Sequence, residues 1–480
     1  MKKNSFYITT TLPYVNAPLH MGHALEFARA DAIARYKKLI GYDVYFNTGT
    51  DEHGAKVYQK AKESGMKTQD FVDKGFKTFK EQLKMFGTSE DVHFIRTTDR
   101  HHQEAAQEFW KRVQNNGYIY KKNYRTKYCV GCDSEKTDSE LENNECRDHP
   151  GTKVSVISEE NYFFKYSAFQ EKLLGFYEQH EDFVVPEFRF NEMKKFVANG
   201  LQDFSISRLK SKMPWGVPVP GDSEHVMYVW FDALINYIST LGWPGDQKNF
   251  KKYWIDGTPM QYCGKDNNRF QSAMWQAMLM AANLPNSHRI VVNGFITGEG
   301  GIKMSKTLGN VLDPRDIVNE YGTDALRYFL LREVSNFEDS PFTLERFKEA
   351  YNSGLANGLG NLASRILTLS EKYLEKCPEI PDGLIPKEFL NALGTFDIKK
   401  ASDMIWDKIG QLDRCIQDTK PFEVIKADKK KGKELISDMV IHLYQIARML
   451  NSIMPETNEK LKKLIRENKK PEKPLFLRRE

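Results

Sequence analysis

A chain of 480 residues is too long for one hydrophobic core, and at roughly 100–200 residues per domain it is expected to form about three domains. With 40% hydrophobic and 28% charged residues, its composition is that of a globular protein and excludes a disordered or collagen-like chain. Lysine and arginine exceed aspartate and glutamate by 70 to 65, and this net charge of +5 permits a polyanionic partner without demanding one.

The opening MKKNSFYITT has a lysine pair but no apolar stretch of the ~7–15 residues that a signal peptide needs. No segment approaches the ~20 apolar residues of a membrane span, so a cytoplasmic protein without a membrane partner is expected. Phe6–Thr10 is β-branched and aromatic and reads as a buried strand ended by Pro13. After the loop TLPYVNAPLHMGH, Leu25, Ala28, Ala32, Tyr36 and Leu39 recur at helical spacing, and Gly41 stands where a C-terminal cap belongs. A second strand, Asp43–Asn47, leads into the loop TGTDEHG. Strand, loop, helix, strand is the start of a parallel α/β sheet.

Residues 117–225 break that rhythm and read as an insertion. The α/β pattern then returns. Met227–Trp230 opens a helix through Tyr237, Gln261–Cys263 is a short strand before a helix to Ala282, and Arg289–Phe295 is a further strand. The expected fold is therefore α/β, a split Rossmann-type sheet (residues 1–116 and 226–344) interrupted by a connective domain (117–225). From about residue 345 the pattern is all-helical to residue 480. Leu344–Leu369 forms one long amphipathic segment weakened by Gly354, Gly358 and Gly360, and Pro378, Pro381, Pro386 and Pro421 separate the helices that follow.

Two strings carry chemistry. His20-Met21-Gly22-His23 lies between the first strand and the first helix, where ligands bind in open α/β sheets and where a helix N-terminus favours phosphate. Two imidazoles separated by Met and Gly can donate hydrogen bonds to a phosphate, although the same string also describes two surface histidines. Lys303-Met304-Ser305-Lys306 follows Gly298, Gly300 and Gly301. A glycine-rich loop with two lysines at its tip can close on a polyphosphate and neutralise charge on a leaving group, though alone it also describes a solvated basic turn. A third cluster is Cys129-x2-Cys132, then thirteen residues, then Cys146-x2-His149. Three thiolates and an imidazole in two close pairs suit one tetrahedral, closed, structural Zn2+. Unrelated buried cysteines beside a surface histidine are the alternative. Cys263, Cys377 and Cys415 have no paired spacing and read as free core thiols.

Together and in this order, HMGH and KMSKT resemble the HIGH and KMSKS signatures of class I aminoacyl-tRNA synthetases, with Thr307 in place of the usual serine. The strings TLPYVNAPLHMGH, TGTDEHG, YVWFDALINY and GKDNNRFQSAMWQAML resemble the methionyl-tRNA synthetase family over nearly the whole chain. The length leaves no room for the large editing domain of the valyl, leucyl and isoleucyl enzymes. The resemblance implies a methionine–tRNA ligase, a zinc-knuckle insertion and an all-α anticodon-binding bundle. It implies ATP with Mg2+, L-methionine and tRNA(Met), initiator tRNA included, as partners, and the ending PLFLRRE suggests a monomer.

The resemblance also assigns residues. His20, His23, Lys303 and Lys306 are the catalytic set; Asn16, Gly264 and Asp266 join His20, His23 and Lys306 at ATP. Asp51 would hold the methionine ammonium, while Leu12, Tyr14, Trp230, Ala233, Leu234, Tyr237 and Trp275 would line the slot for the thioether, which gains from aromatic contacts. Arg208 would link the pocket to substrate or to the insertion. Asn267 and Gln271 border the slot where the family usually has isoleucine and histidine, and polar amides there need partners if buried. Asn361, Arg365 and Phe422 fall at anticodon-reading positions, Phe422 replacing a tryptophan. Two rivals remain at this level: a non-catalytic tRNA-binding scaffold, which the intact strings disfavour, and an adenylate-forming ligase for another amino acid or for a thiol acceptor.

Overall fold

The computed structural model describes residues 4–131, 134–136, 140–147, 149–302 and 312–479. Lys303, Lys306, Thr307 and Cys132 lie outside them, as does the side chain of His149.

In chain order, the first part comprises β1 (Ser5–Thr10), α1 (Met21–Leu39), β2 (Asp43–Thr50), α2 (Ala55–Glu63), α3 (Thr68–Met85), β3 (His93–Arg96) and α4 (Arg100–Asn115). Next come β4 (Ile119–Cys129), β5 (Ser134–Lys136), β6 (Leu141–Glu142), β7 (Glu145–Cys146), β8 (His149–Lys153) and β9 (Ser155–Phe164). The chain continues through α5 (Gln170–Gln179), β10 (Val184–Val185), α6 (Glu187–Ala198), β11 (Phe204–Ser205), β12 (Ser207–Leu209), β13 (Pro218–Val219) and β14 (Asp222–Met227). Then come α7 (Val229–Ala233), α8 (Asn236–Ser239), α9 (Gln247–Asn249), β15 (Thr258–Gly264), α10 (Trp275–Ala281) and β16 (Arg289–Asn293). The remainder is almost wholly helical: β17 (Ile296–Thr297), α11 (Pro314–Tyr321), α12 (Thr323–Tyr328), β18 (Ser340–Pro341), α13 (Leu344–Ala350), α14 (Asn361–Tyr373), α15 (Lys387–Gly394), α16 (Ile398–Thr419), α17 (Pro421–Ala427), α18 (Lys429–Met449) and α19 (Pro455–Arg466).

The central sheet has the order β10-β16-β15-β1-β2-β3. The pairs β1–β2, β1–β15, β2–β3 and β10–β16 are parallel. Thus β1 pairs directly with β15, about 250 positions further along the chain. From Phe6 to Thr10 every residue of β1 is buried, as expected for a strand covered on both faces. Beside the central sheet stand antiparallel β4–β9, extended to the order β11-β9-β4-β5, and the small sheet β6-β7-β8.

By its contacts the chain divides into two compact units: Met1–Leu19, Tyr42–Glu81 and Asp91–Val292 in one, His20–Gly41, Gln82–Glu90 and Asn293–Glu480 in the other. The first unit has an aromatic core in which Phe109 stacks on Trp275 with ring centroids 5.9 Å apart, beside fully buried Trp110 and Trp254. In the second unit, α1 is buried on nearly every side, beyond the single apolar face read from its spacing. Its buried Asp31 and Arg29 are matched internally. Asp31 pairs with Arg35 at 2.7 Å and with Arg327 at 2.9 Å and accepts from the Ser89 backbone N–H at 2.8 Å. Arg29 donates to the Asn336 carbonyl at 2.6 Å and to Asn293 Oδ1 at 2.8 Å. The helix ends as expected, with Gly41 at φ 91° just past it.

Three other expectations are corrected. The segment opening near Met227 is two short helices, α7 and α8, and not one helix through Tyr237. The long segment from Leu344 is continuous, but its glycines sit in a π-helical stretch, Tyr351–Gly360, joining α13 to α14. Cys377 and Cys415 are half-buried and not core thiols; only Cys263 of those three is buried. No helix among the described residues is long and apolar enough to cross a membrane.

Candidate active site

The first unit brings Tyr14, Asp51 and Gly264 to the carboxyl end of β1, β2 and β15. The string TDEHG turns there, and each of its residues has a separate task. Asp51 lies at the end of β2 and forms a bridge with Tyr14: its N–H donates to the Pro13 carbonyl at 3.0 Å and the Val15 N–H donates to its carbonyl at 3.1 Å. Those bonds fasten the TLPYV loop beside a buried carboxylate. Glu52 points elsewhere, to Arg96 Nε at 2.8 Å, while its backbone carbonyl accepts from the Trp215 indole at 2.6 Å. His53 Nδ1 lies 2.6 Å from Asp232 on α7. Gly54, at φ 97°, opens α2. Gly49 is set by close approach, since a Cβ there would stand 1.8 Å from the Ile95 carbonyl oxygen of β3.

Ring contacts join the aromatic residues in two sets. Tyr14 meets Trp230 edge to face at 6.5 Å, and Trp230 stacks flat on Phe270 at 3.9 Å with 3° between the planes. Tyr237 meets Trp275 at 5.8 Å. Leu12, Ala233, Leu234, Tyr237 and Trp275 are buried, whereas Tyr14 and Trp230 are half-buried. Fully buried Gln271 donates from Nε2 to the Tyr237 hydroxyl, and its Oε1 has no partner among the described residues. Asn267 differs: it is half-buried, and its amide reaches only Asp266 Oδ1 at 3.5 Å. Gly264 closes β15, whose Tyr262 pairs with Thr10 of β1; Asp266 is exposed and Asn16 half-buried. Arg208 donates to the Ser205 hydroxyl at 2.9 Å and the Ser207 carbonyl at 2.7 Å, and its guanidinium lies over Tyr228 and over Tyr128 of β4.

The second unit holds the histidine pair at the N-terminus of α1. Gly22 N–H donates to His20 Nδ1 at 3.1 Å, and His20 N–H donates to His23 Nδ1 at 3.2 Å, so the two side chains cap the helix. The rings stack with centroids 3.7 Å apart. Burial and the neighbouring His20 push the His23 imidazole well below the ordinary histidine range. His23 is thus neutral at pH 7, and because Nδ1 accepts, its proton sits on Nε2, where it can serve as a donor.

A family model described as tRNA synthetases class I (M) matches residues 6–152 and 131–367. The methionine–tRNA ligase of Caldanaerobacter subterraneus subsp. tengcongensis is 41% identical over 476 residues, covering 96% of this chain and 73% of that protein. That of Brucella suis is 38% identical over 479 residues, covering 96% of this chain and 92% of that protein. The solved Mycobacterium tuberculosis methionyl-tRNA synthetase in complex with methionyl-adenylate superposes with a TM-score of 0.89 at 36% identity, covering 95% of this chain and 93% of that one. The chain belongs to the methionine–tRNA ligase family of class I tRNA synthetases.

Beyond the pocket, the structure places the remaining residues of interest as follows. Cys129 ends β4 and Cys146 lies on β7, both buried, and Cys146 is the register partner of His149 on β8. Among the described residues no group of three or more His, Cys, Asp or Glu side chains is arranged to hold a metal ion; one thiol and the imidazole of the expected set lie outside them. In the helical region, Asn361 is exposed at the start of α14, and Arg365 pairs with Asp413 of α16. Phe422 is 42% exposed on α17. Two features of this family member escaped the sequence. Phe270, which backs Trp230, sits in the quoted string GKDNNRFQ but has no polar signature to mark it. The buried set His53, Asp232 and His102 joins positions far apart in the chain.

Proposed function

We propose that the protein activates L-methionine with ATP to methionyl-adenylate and transfers the methionyl group to the 3′-terminal adenosine of tRNA(Met), initiator tRNA included. The observation that carries this reading is the buried Asp51 carboxylate fastened beside an aromatic-walled slot at the carboxyl end of β1, β2 and β15. A carboxylate complements an ammonium, and a slot of Trp, Tyr and Leu suits a long thioether.

In the first step the methionine carboxylate attacks the α-phosphate of ATP in line, and pyrophosphate leaves. His20 and His23 donate to the phosphate oxygens, Lys303 and Lys306 neutralise the leaving pyrophosphate, and Asn16, Gly264 and Asp266 hold the nucleoside. Mg2+ entering with ATP supplies further charge neutralisation. In the second step the 2′-hydroxyl of the terminal adenosine attacks the acyl carbon and AMP leaves. No side chain becomes a covalent nucleophile; positioning lowers the barrier. Asn361, Arg365 and Phe422 contact the anticodon, where a phenyl ring can stack on a base at ~1–3 kcal/mol but offers no N–H donor. Cys129, Cys132, Cys146 and His149 hold one structural Zn2+ in the insertion; buried Cys129 and Cys146, and the pairing of Cys146 with His149, suit such a closed site. We read the enzyme as a cytoplasmic monomer, with residues 1–116 and 226–344 as its catalytic domain, 117–225 as the connective insertion and 345–480 as the anticodon domain.

Charging assays test the reading. Methionine should be transferred to tRNA carrying the methionine anticodon and not to anticodon variants. Charging that ignores the anticodon would refute the role of the helical region, and no charging at all would refute the function.

A further inference from the structure

The slot wall rests on a helix that cannot hold itself. α7 has five residues, far below the ~12–15 at which an isolated helix becomes even marginal. Yet it carries Trp230, which stacks on Phe270, and Ala233. Two buried residues between them hold it: Phe231 packs against Phe109 and Trp110, and Asp232 ties it to other elements. Asp232 is fully buried, and its two carboxylate oxygens have different partners: Oδ2 lies 2.6 Å from His53 Nδ1, and Oδ1 lies 2.9 Å from His102 Nε2 on α4. The far nitrogen of His102 lies 2.9 Å from the Ser239 hydroxyl of α8. With the carboxylate accepting from both histidines, His102 carries its proton on Nε2 and the Ser239 hydroxyl donates to Nδ1. His53 is two residues from Asp51. One carboxylate therefore ties together the loop carrying the ammonium acceptor, the helix carrying the slot wall, and α4 of the core. Burial alone would raise the Asp232 carboxyl, but His53 and His102 outweigh it and hold it down at about 2, so the anchor keeps its charge through the neutral range.

We propose that Asp232, through His53 and His102, is a positioning residue that sets the spacing between Asp51 and the Trp230–Ala233 wall and thereby the affinity for the amino acid. The inference rests on the slot being the methionine site.

Pyrophosphate exchange on the full chain, with methionine and ATP varied separately, provides the test. Asp232→Asn replaces an acceptor by an amide N–H that faces a histidine N–H, and His102→Leu removes one donor. Each should raise the KM for methionine at least ~10-fold and leave the KM for ATP within about twofold, because misplacing a positioning contact weakens one substrate selectively. His102→Gln restores an N–H near the lost one and should bring the methionine KM back to within about threefold of the parent. A purely structural role would lower the active fraction and leave both constants alone. Unchanged constants, constants that rise together, or His102→Gln as impaired as His102→Leu would overturn the proposal. If Asp232→Asn does not fold, the two His102 variants decide by the same criterion. Asp51→Asn separates the two readings. If it leaves the methionine KM unchanged, the slot assignment falls and the positioning role with it. If it raises that KM while Asp232→Asn and His102→Leu do not, only the positioning role falls.

Discussion

In the proposed reaction Asp51 and Lys306 would serve different stages, and their variants should fail in different ways. There Asp51 would meet a charge that does not change, so Asp51→Asn should weaken methionine binding. Loss of a charge-assisted hydrogen bond costs about 1.5–3 kcal/mol, or about a 10- to 150-fold rise in the KM for methionine. Lys306 meets charge that grows as pyrophosphate leaves. Lys306→Ala should slow adenylate formation by at least ~100-fold, the loss typical of one such donor; near-parental pyrophosphate exchange would refute its assignment. At this scale, legibility follows sequence separation. HMGH, KMSK and TDEHG are short strings whose residue types state their chemistry, so they stand out on the page. Asp232 reads as an ordinary acid inside YVWFDALINY, because the histidines that give it meaning are 130 and 179 positions away. Gln271 is intermediate. The need for a partner was legible, and the Tyr237 hydroxyl that supplies one was not.

The elements show where local pattern and tertiary burial part company. β-branched and aromatic composition located β1, and helical spacing located α1 and the helical region, but that spacing marks one apolar face of α1 and assigns nothing to its charged residues. Arg29 and Asp31 are buried and paired. Arg327→Met would leave Asp31 a buried carboxylate short of its countercharge and remove donors to the Ile453 and Ser452 carbonyls, 2.9 and 3.1 Å away. It should destabilise the fold by about 3–5 kcal/mol in urea denaturation; a loss below about 1 kcal/mol would contradict the strut. Asp324 of α12 behaves oppositely. Burial raises its carboxyl to about 6, against hydrogen bonds from Thr457 of α19 that lower it. A carboxyl whose folded value exceeds the unfolded value of about 3.9 binds more protons when folded. Its contribution therefore declines as pH rises from about 4 to 6. Asp324→Asn should gain about 1–3 kcal/mol over the parent at about pH 7.5 and little at about pH 4. Denaturation curves that keep a constant offset across that range would contradict this.

For the whole molecule, the order of segments was legible from the switch between α/β rhythm, irregular insertion and continuous helix. The grouping into two compact units was not, because it rests on contacts between α1 and residues from Asn293 onward, and long-range pairing leaves no periodic trace. The insertion carries its own test. Cys146→Ser should abolish bound zinc, read as metal content by mass spectrometry, and disorder β7 and β8. Metal content equal to the parent would contradict the knuckle. Most of the account, however, depends on one slot accepting one amino acid, and ATP–pyrophosphate exchange across the twenty standard amino acids examines that directly. Methionine alone should support rapid exchange. Exchange driven better by another amino acid, or by none, would contradict the account.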